Sequence, residues 1–201
     1  MLNKRSIDFI IQHEAGGRAY YDKVLQKPTW PGGESGITVG LGYDLGYNSE
    51  KQFKLDWGKT LSEASIKTLK TVLGLKGEKA KISLKGDLLN IRISYNIAYD
   101  VFVKCSVPRF YKLALSIYPE MVNLNEDTQG MLVSMIFNRG ASLNGDSRKE
   151  MRAIVELVKK KDYEAIAEEI EKSKRLWEHK GLDGLVVRRE AEADMIRDSI
   201  A

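Results

Sequence analysis

The stretch GITVGLGYDLG, residues 36–46, decides how the front of the chain is read. Ile37, Val39, Leu41 and Tyr43 alternate with Thr38, Gly40, Gly42 and Asp44, the period-two pattern of a strand with one buried face. The other face is polar with a bare floor: two glycines let a bulky ligand approach the backbone, with a hydroxyl at one end and a carboxylate at the other. Six residues of straight strand span about 20 Å, too far for Thr38 and Asp44 to hold one water, so the chain is expected to turn before Asp44. Tyr43, Asp44, Leu45 and Gly46 have the composition of such a turn. The plainer alternatives are an ordinary strand threonine at 38 and a turn or cap residue at 44.

Upstream, Arg18–Val24 is rich in aromatic and branched residues and reads as the other strand of a hairpin. The connection, Lys27–Gly36, holds Pro28, Pro31 and three glycines and reads as a loop. Within it Trp30 offers an aromatic face for a sugar ring, and Glu34 a carboxylate that can reach a groove. Asp22 closes the first expected strand and is a further carboxylate candidate; turn stabilisation is its plainer role.

Ahead of the hairpin, Ile7, Ile10, Ile11 and Glu14 fall at i, i+3, i+4 and i+7 of a helix, which puts a carboxylate on the last position of an apolar stripe. Ala15, Gly16 and Gly17 end that helix, leaving Glu14 near the negative end of its dipole. Desolvation and the dipole both favour the protonated form, which is what a general acid needs. The structural alternative is an ion pair with Arg188 or Arg189.

Behind the hairpin the pattern is helical. Ser62 and Glu63 cap a segment carrying Ile66, Leu69, Val72 and Leu73. Ile93–Val107 is expected to stop at Pro108, and a piece with Phe110, Leu113, Ala114 and Ile117 runs to Pro119. Asn125 or Asp127 begins a strongly apolar helix with Met131, Leu132, Met135 and Ile136. Ser147 and Glu150 form a capping-box pattern, and Gly181 and Asp183 separate the last helices.

The length of 201 residues suits one domain, and 43% hydrophobic with 30% charged residues is enough for a packed core, which excludes disorder. No apolar run approaches the roughly 20 residues that cross a bilayer, so no membrane insertion is expected. The first residues lack a signal-peptide pattern, so the chain is expected to be made in the cytoplasm. One cysteine, Cys105, and two histidines, His13 and His179, leave little for a disulfide or a zinc site, and no metal or organic cofactor is expected. Thirty-two basic against 28 acidic residues give a net charge of +4. That mild excess suits an anionic polymer, but charges are interspersed, as over Glu164–Arg175, which argues against nucleic acid.

Four segments together, HEAGGRAYYD (13–22), GITVGLGYDLG (36–46), MIFNRG (135–140) and GLVVRREAEADMI (184–196), resemble the phage-type lysozyme superfamily, and in particular the pesticin-like muramidase domains. In common phage lysozymes the catalytic aspartate precedes the threonine; in the pesticin-like pattern it follows six positions later, as Asp44 follows Thr38 here. Asp22 lies near the position of the first pattern, eight residues after Glu14. Asp44 is ranked first as the second carboxylate, Asp22 second and Glu34 third.

The resemblance implies an α+β, mainly α chain: one muramidase domain over 1–201, with a small hairpin lobe at about 15–60, a helical lobe, and a sugar-binding cleft between them. It implies cleavage of the β-1,4 bond between N-acetylmuramic acid and N-acetylglucosamine in peptidoglycan by Glu14, Asp44 and Thr38. Gly40, Gly42, Tyr43, Trp30, Asn138 and Arg139 would meet substrate. A phage endolysin or an antibacterial toxin is expected, monomeric, acting in the periplasm or cell wall after export, with a cognate immunity or inhibitor protein in the toxin case. A lytic transglycosylase and an inactive wall-binding module are the alternatives.

Overall fold

The computed structural model describes residues 2–201. These residues are mainly helical and contain one two-stranded antiparallel sheet. They divide into two compact units: Ile11–Ser106, and the residues up to Ile10 together with Val107–Ala201. The unit bearing the hairpin therefore runs well past residue 60. Later segments bond back to the hairpin region, with Gly74 N donating to Leu45 O at 3.1 Å and Gly77 N to Ser35 O at 3.0 Å.

In the Ile11–Ser106 unit, helix α1 (Lys4–Ala15) ends where the glycines require: Gly16 takes φ +64°, a left-handed conformation that stops the helix at little cost. The strand expected over Arg18–Val24 is instead helical. Helix α2 (Gly17–Tyr20) runs into a π-turn over Tyr21–Leu25. A half-buried strand would sink every second side chain, yet of residues 18–24 only Tyr21 is buried. Its hydroxyl donates to Ile93 O at 2.9 Å and its ring meets Tyr95 edge-on. One aromatic anchor per turn is helical spacing, and so is the Arg18–Asp22 contact.

The hairpin is contained wholly within 38–44. Strands β1 (Thr38–Val39) and β2 (Tyr43–Asp44) are antiparallel, joined through Gly40, Leu41 and Gly42, with φ +59° and +76° at the two glycines. The turn thus lies earlier than Tyr43–Gly46. The glycines are the bend rather than the floor of a straight strand, because only they take these φ values without strain. Thr29, in the expected loop, bridges the free edge of β1. The alternation still sorts the faces: Ile37, Val39, Leu41 and Tyr43 are all buried.

Helix α3 (Glu50–Trp57), capped by Ser49, sets Phe53 and Trp57 against Tyr43, with ring centroids 6.5 and 5.6 Å away. A Cβ on Gly40 would fall 2.7 Å from the Trp57 ring, so close packing adds to the φ requirement there. Helix α4 (Glu63–Lys70) starts as expected, Ser62 accepting from Ser65 N at 3.2 Å. Helices α5 (Gly77–Ser83) and α6 (Tyr95–Val101) complete the unit's α-helices.

In the other unit, α7 (Val107–Ile117) carries Pro108 as its second residue, so the expected stop there does not occur. The helical run passes without a break from α6 through a π-turn over Phe102–Ser106 into α7, and that bulge just before Pro108 lets the helix accommodate a residue with no N–H. Asn125 caps α8 (Glu126–Arg139), accepting from Thr128 N at 2.8 Å, and Met131, Leu132, Met135 and Ile136 are fully buried at the centre. Helix α9 (Lys149–Lys160) lacks the expected capping box: Ser147 accepts no cap bond. Glu150, buried, turns to Arg175, whose Nε donates at 2.5 Å. Helix α10 (Tyr163–Lys172) packs on α9 and on α11 (Asp183–Asp198). On α11, Arg188 and Arg189 bond Glu192.

Candidate active site

Thr38 and Asp44 are cross-strand partners, and the hydrogen-bond pattern fixes how they face each other. Thr38 gives its N–H and C=O to Thr29, at 2.8 and 3.0 Å, while Leu45 N donates to Ile37 O at 2.9 Å. Thr38 and Asp44 are therefore a non-hydrogen-bonded pair, the closer of the two antiparallel kinds, with Cα atoms about 4.5 Å apart and side chains on one face. The distance problem of a straight strand disappears because the glycine turn folds the two ends together.

The Asp44 carboxylate is held by backbone amides. Gly46 N donates to Oδ1 at 2.7 Å and Gly36 N to both oxygens at 3.1 Å, while Asn48 Nδ2 donates to the Asp44 carbonyl at 2.7 Å. This is the cap role and at the same time a rigid mount. Three amide contacts still leave acceptor capacity on an ionised carboxylate. The Thr38 hydroxyl makes no hydrogen bond among the described residues, and both side chains are half-buried. A water between them would find a hydroxyl on one side and an acceptor on the other.

Glu14, the penultimate residue of α1, belongs to the same compact unit and is half-buried between buried Ile11 and Ala15 and the exposed Gly16. It is neither sealed in the core nor fully in solvent.

The remaining candidates are dispersed. Asp22 lies exposed on the π-turn, 3.5 Å from Arg18 Nε and from Gln26 Nε2. Trp30 ties down its own loop, Nε1 donating to Ser35 O at 3.1 Å, with Lys81 over its ring. Glu34 is exposed, its carboxylate next to Gly77. Tyr43 is only 5% exposed and donates to Asp56 at 2.7 Å, so it fastens β2 to α3 rather than lining a groove. Gly40 is buried under Trp57, while Gly42 is exposed with open space around its Cα. Asn138 and Arg139 end α8 in the other unit, where they line a cavity of about 340 Å³.

Sequence reading missed three residues. Gly36 and Gly46 build the aspartate's mount: a Cβ on Gly36 would fall 2.3 Å from Gly46 N and 2.4 Å from Asp44 Oδ1. The Asp-x-Gly spacing at 44–46 is an Asx-turn signature and was a usable signal; Gly36 had none. Tyr47, 62% exposed three residues past Asp44, lays its ring under Lys76 and donates to Glu34 O at 3.3 Å.

Residues 9–112 match the family described as Domain of unknown function (DUF8812), and the chain belongs to that family. The matched segment contains Glu14, Thr38 and Asp44. No curated protein matches the chain.

Proposed function

We propose that the chain is a muramidase that hydrolyses the β-1,4 bond between N-acetylmuramic acid and N-acetylglucosamine. The observation that supports this most is the Thr38–Asp44 pair: an unengaged hydroxyl beside an amide-anchored carboxylate, in the same unit as a half-buried glutamate at a helix end. Glycosidic hydrolysis calls for a carboxylic acid that protonates the leaving oxygen and a carboxylate that activates water or attacks the sugar.

Glu14 gives its proton to the glycosidic oxygen as the C–O bond breaks. A water held by Thr38 Oγ1 attacks the anomeric carbon and passes its proton to Asp44. The amides of Gly36 and Gly46 keep that carboxylate aimed while charge redistributes, so little reorganisation falls on the transition state. Attack by water inverts the anomeric centre, the outcome expected for carboxyl groups about 6.5–9.5 Å apart.

The test is release of reducing ends from purified peptidoglycan by wild type and Glu14→Gln, with mass spectrometry of the fragments. A loss of about a hundredfold or more in folded Glu14→Gln is expected, with hydrated reducing ends as product. Full activity of that variant would falsify the assignment, and a dominant anhydro sugar would replace hydrolysis by transglycosylation.

A further inference from the structure

The helical unit contains a cavity of about 340 Å³ walled by Asn138 and Arg139 from the end of α8, Ser147 and Arg148 from the turn before α9, and Leu176 and Trp177 after α10. Its charge is one-sided, since none of these six residues is acidic. Arg139 is 8% exposed, donates Nη2 to Ser147 O, and has a buried Nη1 with no hydrogen-bond partner. Arg148, half-buried, makes only a 3.6 Å contact to Met151 Sδ. Among the described residues neither guanidinium pairs with a carboxylate.

The buried carboxylates of this unit take their hydrogen bonds from other arginines. Glu150 accepts from Arg175, and Glu192 from Arg188 and Arg189. Trp177 adds no counter-charge; its ring lies 5.3 Å from the Arg139 guanidinium and 5.8 Å from that of Arg189. Burial first, and then the neighbouring charges of Arg148 and Arg189, pull the Arg139 guanidinium down to about 10 against a smaller opposing pull from Glu150 and Tyr118. A buried cation with an unused donor and like charges around it is retained at a cost, and an anion removes that cost. Asn138 contributes a second unmet group, a buried Oδ1 with no partner, which needs a donor.

We infer that this cavity binds a small oxyanion that also carries a hydroxyl: the oxyanion accepts from Arg139 Nη1 and Arg148, and the hydroxyl donates to Asn138 Oδ1. Hydrogen phosphate and a 2-hydroxycarboxylate share this chemistry. Planar guanidinium groups suit the oxyanion of either. The inference is independent of the muramidase reading.

The test is titration calorimetry of the full chain with inorganic phosphate and, separately, glycolate, at constant ionic strength, with Trp177 emission as a second readout. Saturable binding of either probe is expected, weakened about tenfold or more in Arg148→Gln and unchanged in Lys112→Gln, an exposed residue outside the cavity. The emission change should vanish in Trp177→Phe, and the tighter probe identifies the source. Because Arg139→Gln risks the fold, the half-buried Arg148 carries the decision. No saturable binding of either probe to wild type, or equal binding by Arg148→Gln, overturns the inference.

Discussion

Thr38 and Asp44 sit opposite one another as a non-hydrogen-bonded pair across a three-residue glycine turn. This relationship turns a separation of six residues into the closest side-chain approach that an antiparallel ladder offers. It also separates two roles across one short hairpin: Thr38 uses its backbone for the Thr29 bridge and leaves its hydroxyl unengaged, whereas Asp44 uses its carboxylate to close the following turn.

The first prediction isolates the hydroxyl. Thr38→Val keeps the branched shape and the backbone bonds but removes the oxygen, and Thr38→Ser does the reverse. In glycan-release assays Val should lose about a hundredfold or more, while Ser keeps most of the activity, the size expected of a group that positions the reacting water. Equal activity in the two variants removes Thr38 from the chemistry.

The second prediction concerns the mount. Gly36→Ala drives a methyl to 2.3 Å from Gly46 N, a rigid backbone neighbour, and should destabilise by about 3 kcal/mol in urea unfolding. Gly42→Ala meets open space and has only φ +76° to bear, about 1 kcal/mol. The reverse order of the two costs contradicts the close approach of Gly36 to Gly46.

Third, Glu50 gives stability a pH dependence whose sign is fixed. Hydrogen bonds from Lys54 and then Lys70, at 2.8 and 2.6 Å, hold its carboxyl down to about 2 from an ordinary value of 4.5. A depressed carboxyl stabilises the fold above its unfolded value and loses that stabilisation as pH falls through the folded one, here between about 4.5 and about 2. The group is exposed, so the effect is small and screened by salt. Paired melts of wild type and Glu50→Gln should converge over that window and on raising salt at pH 7; a gap insensitive to both would mean packing rather than charge.

How much of this was legible beforehand depends on the range of the interaction. The stripe ending in Glu14 and the caps at Ser62 and Asn125 are local patterns, and the chain follows them. The alternation over 37–43 sorted inside from outside but not the path, because a turn at Gly40–Gly42 preserves the alternation while reversing the strand. Arg18–Val24 misled because branched and aromatic content describes a pleated surface only when a partner strand exists; here Tyr21 finds its anchor at Ile93, far along the chain. Glu150 likewise left its capping pattern for Arg175, a contact that sequence spacing does not reveal. Of the candidate site, the pairing of Thr38 with Asp44 was suggested by the need for a bend, whereas the Gly36 amide was invisible.

The last prediction tests the polar centre of the helical unit. Glu192 is fully buried, and its Oε1 accepts from Ser134 Oγ at 2.6 Å, Arg189 Nη2 at 2.7 Å and Arg188 Nε at 3.3 Å; both arginines are at most 3% exposed. Arg188 also donates to the Ser134 carbonyl at 3.0 Å, which fastens α11 to α8. Glu192→Gln preserves shape and removes the charge that offsets two buried cations, so about 3–5 kcal/mol of stability should be lost. If uncompensated charge is the cause, adding Arg189→Met should restore part of it, and a double-mutant cycle on unfolding free energies measures the coupling. A Glu192→Gln loss below about 1 kcal/mol, or a second substitution that only adds damage, would place the stability of this helix pair in its apolar contacts instead.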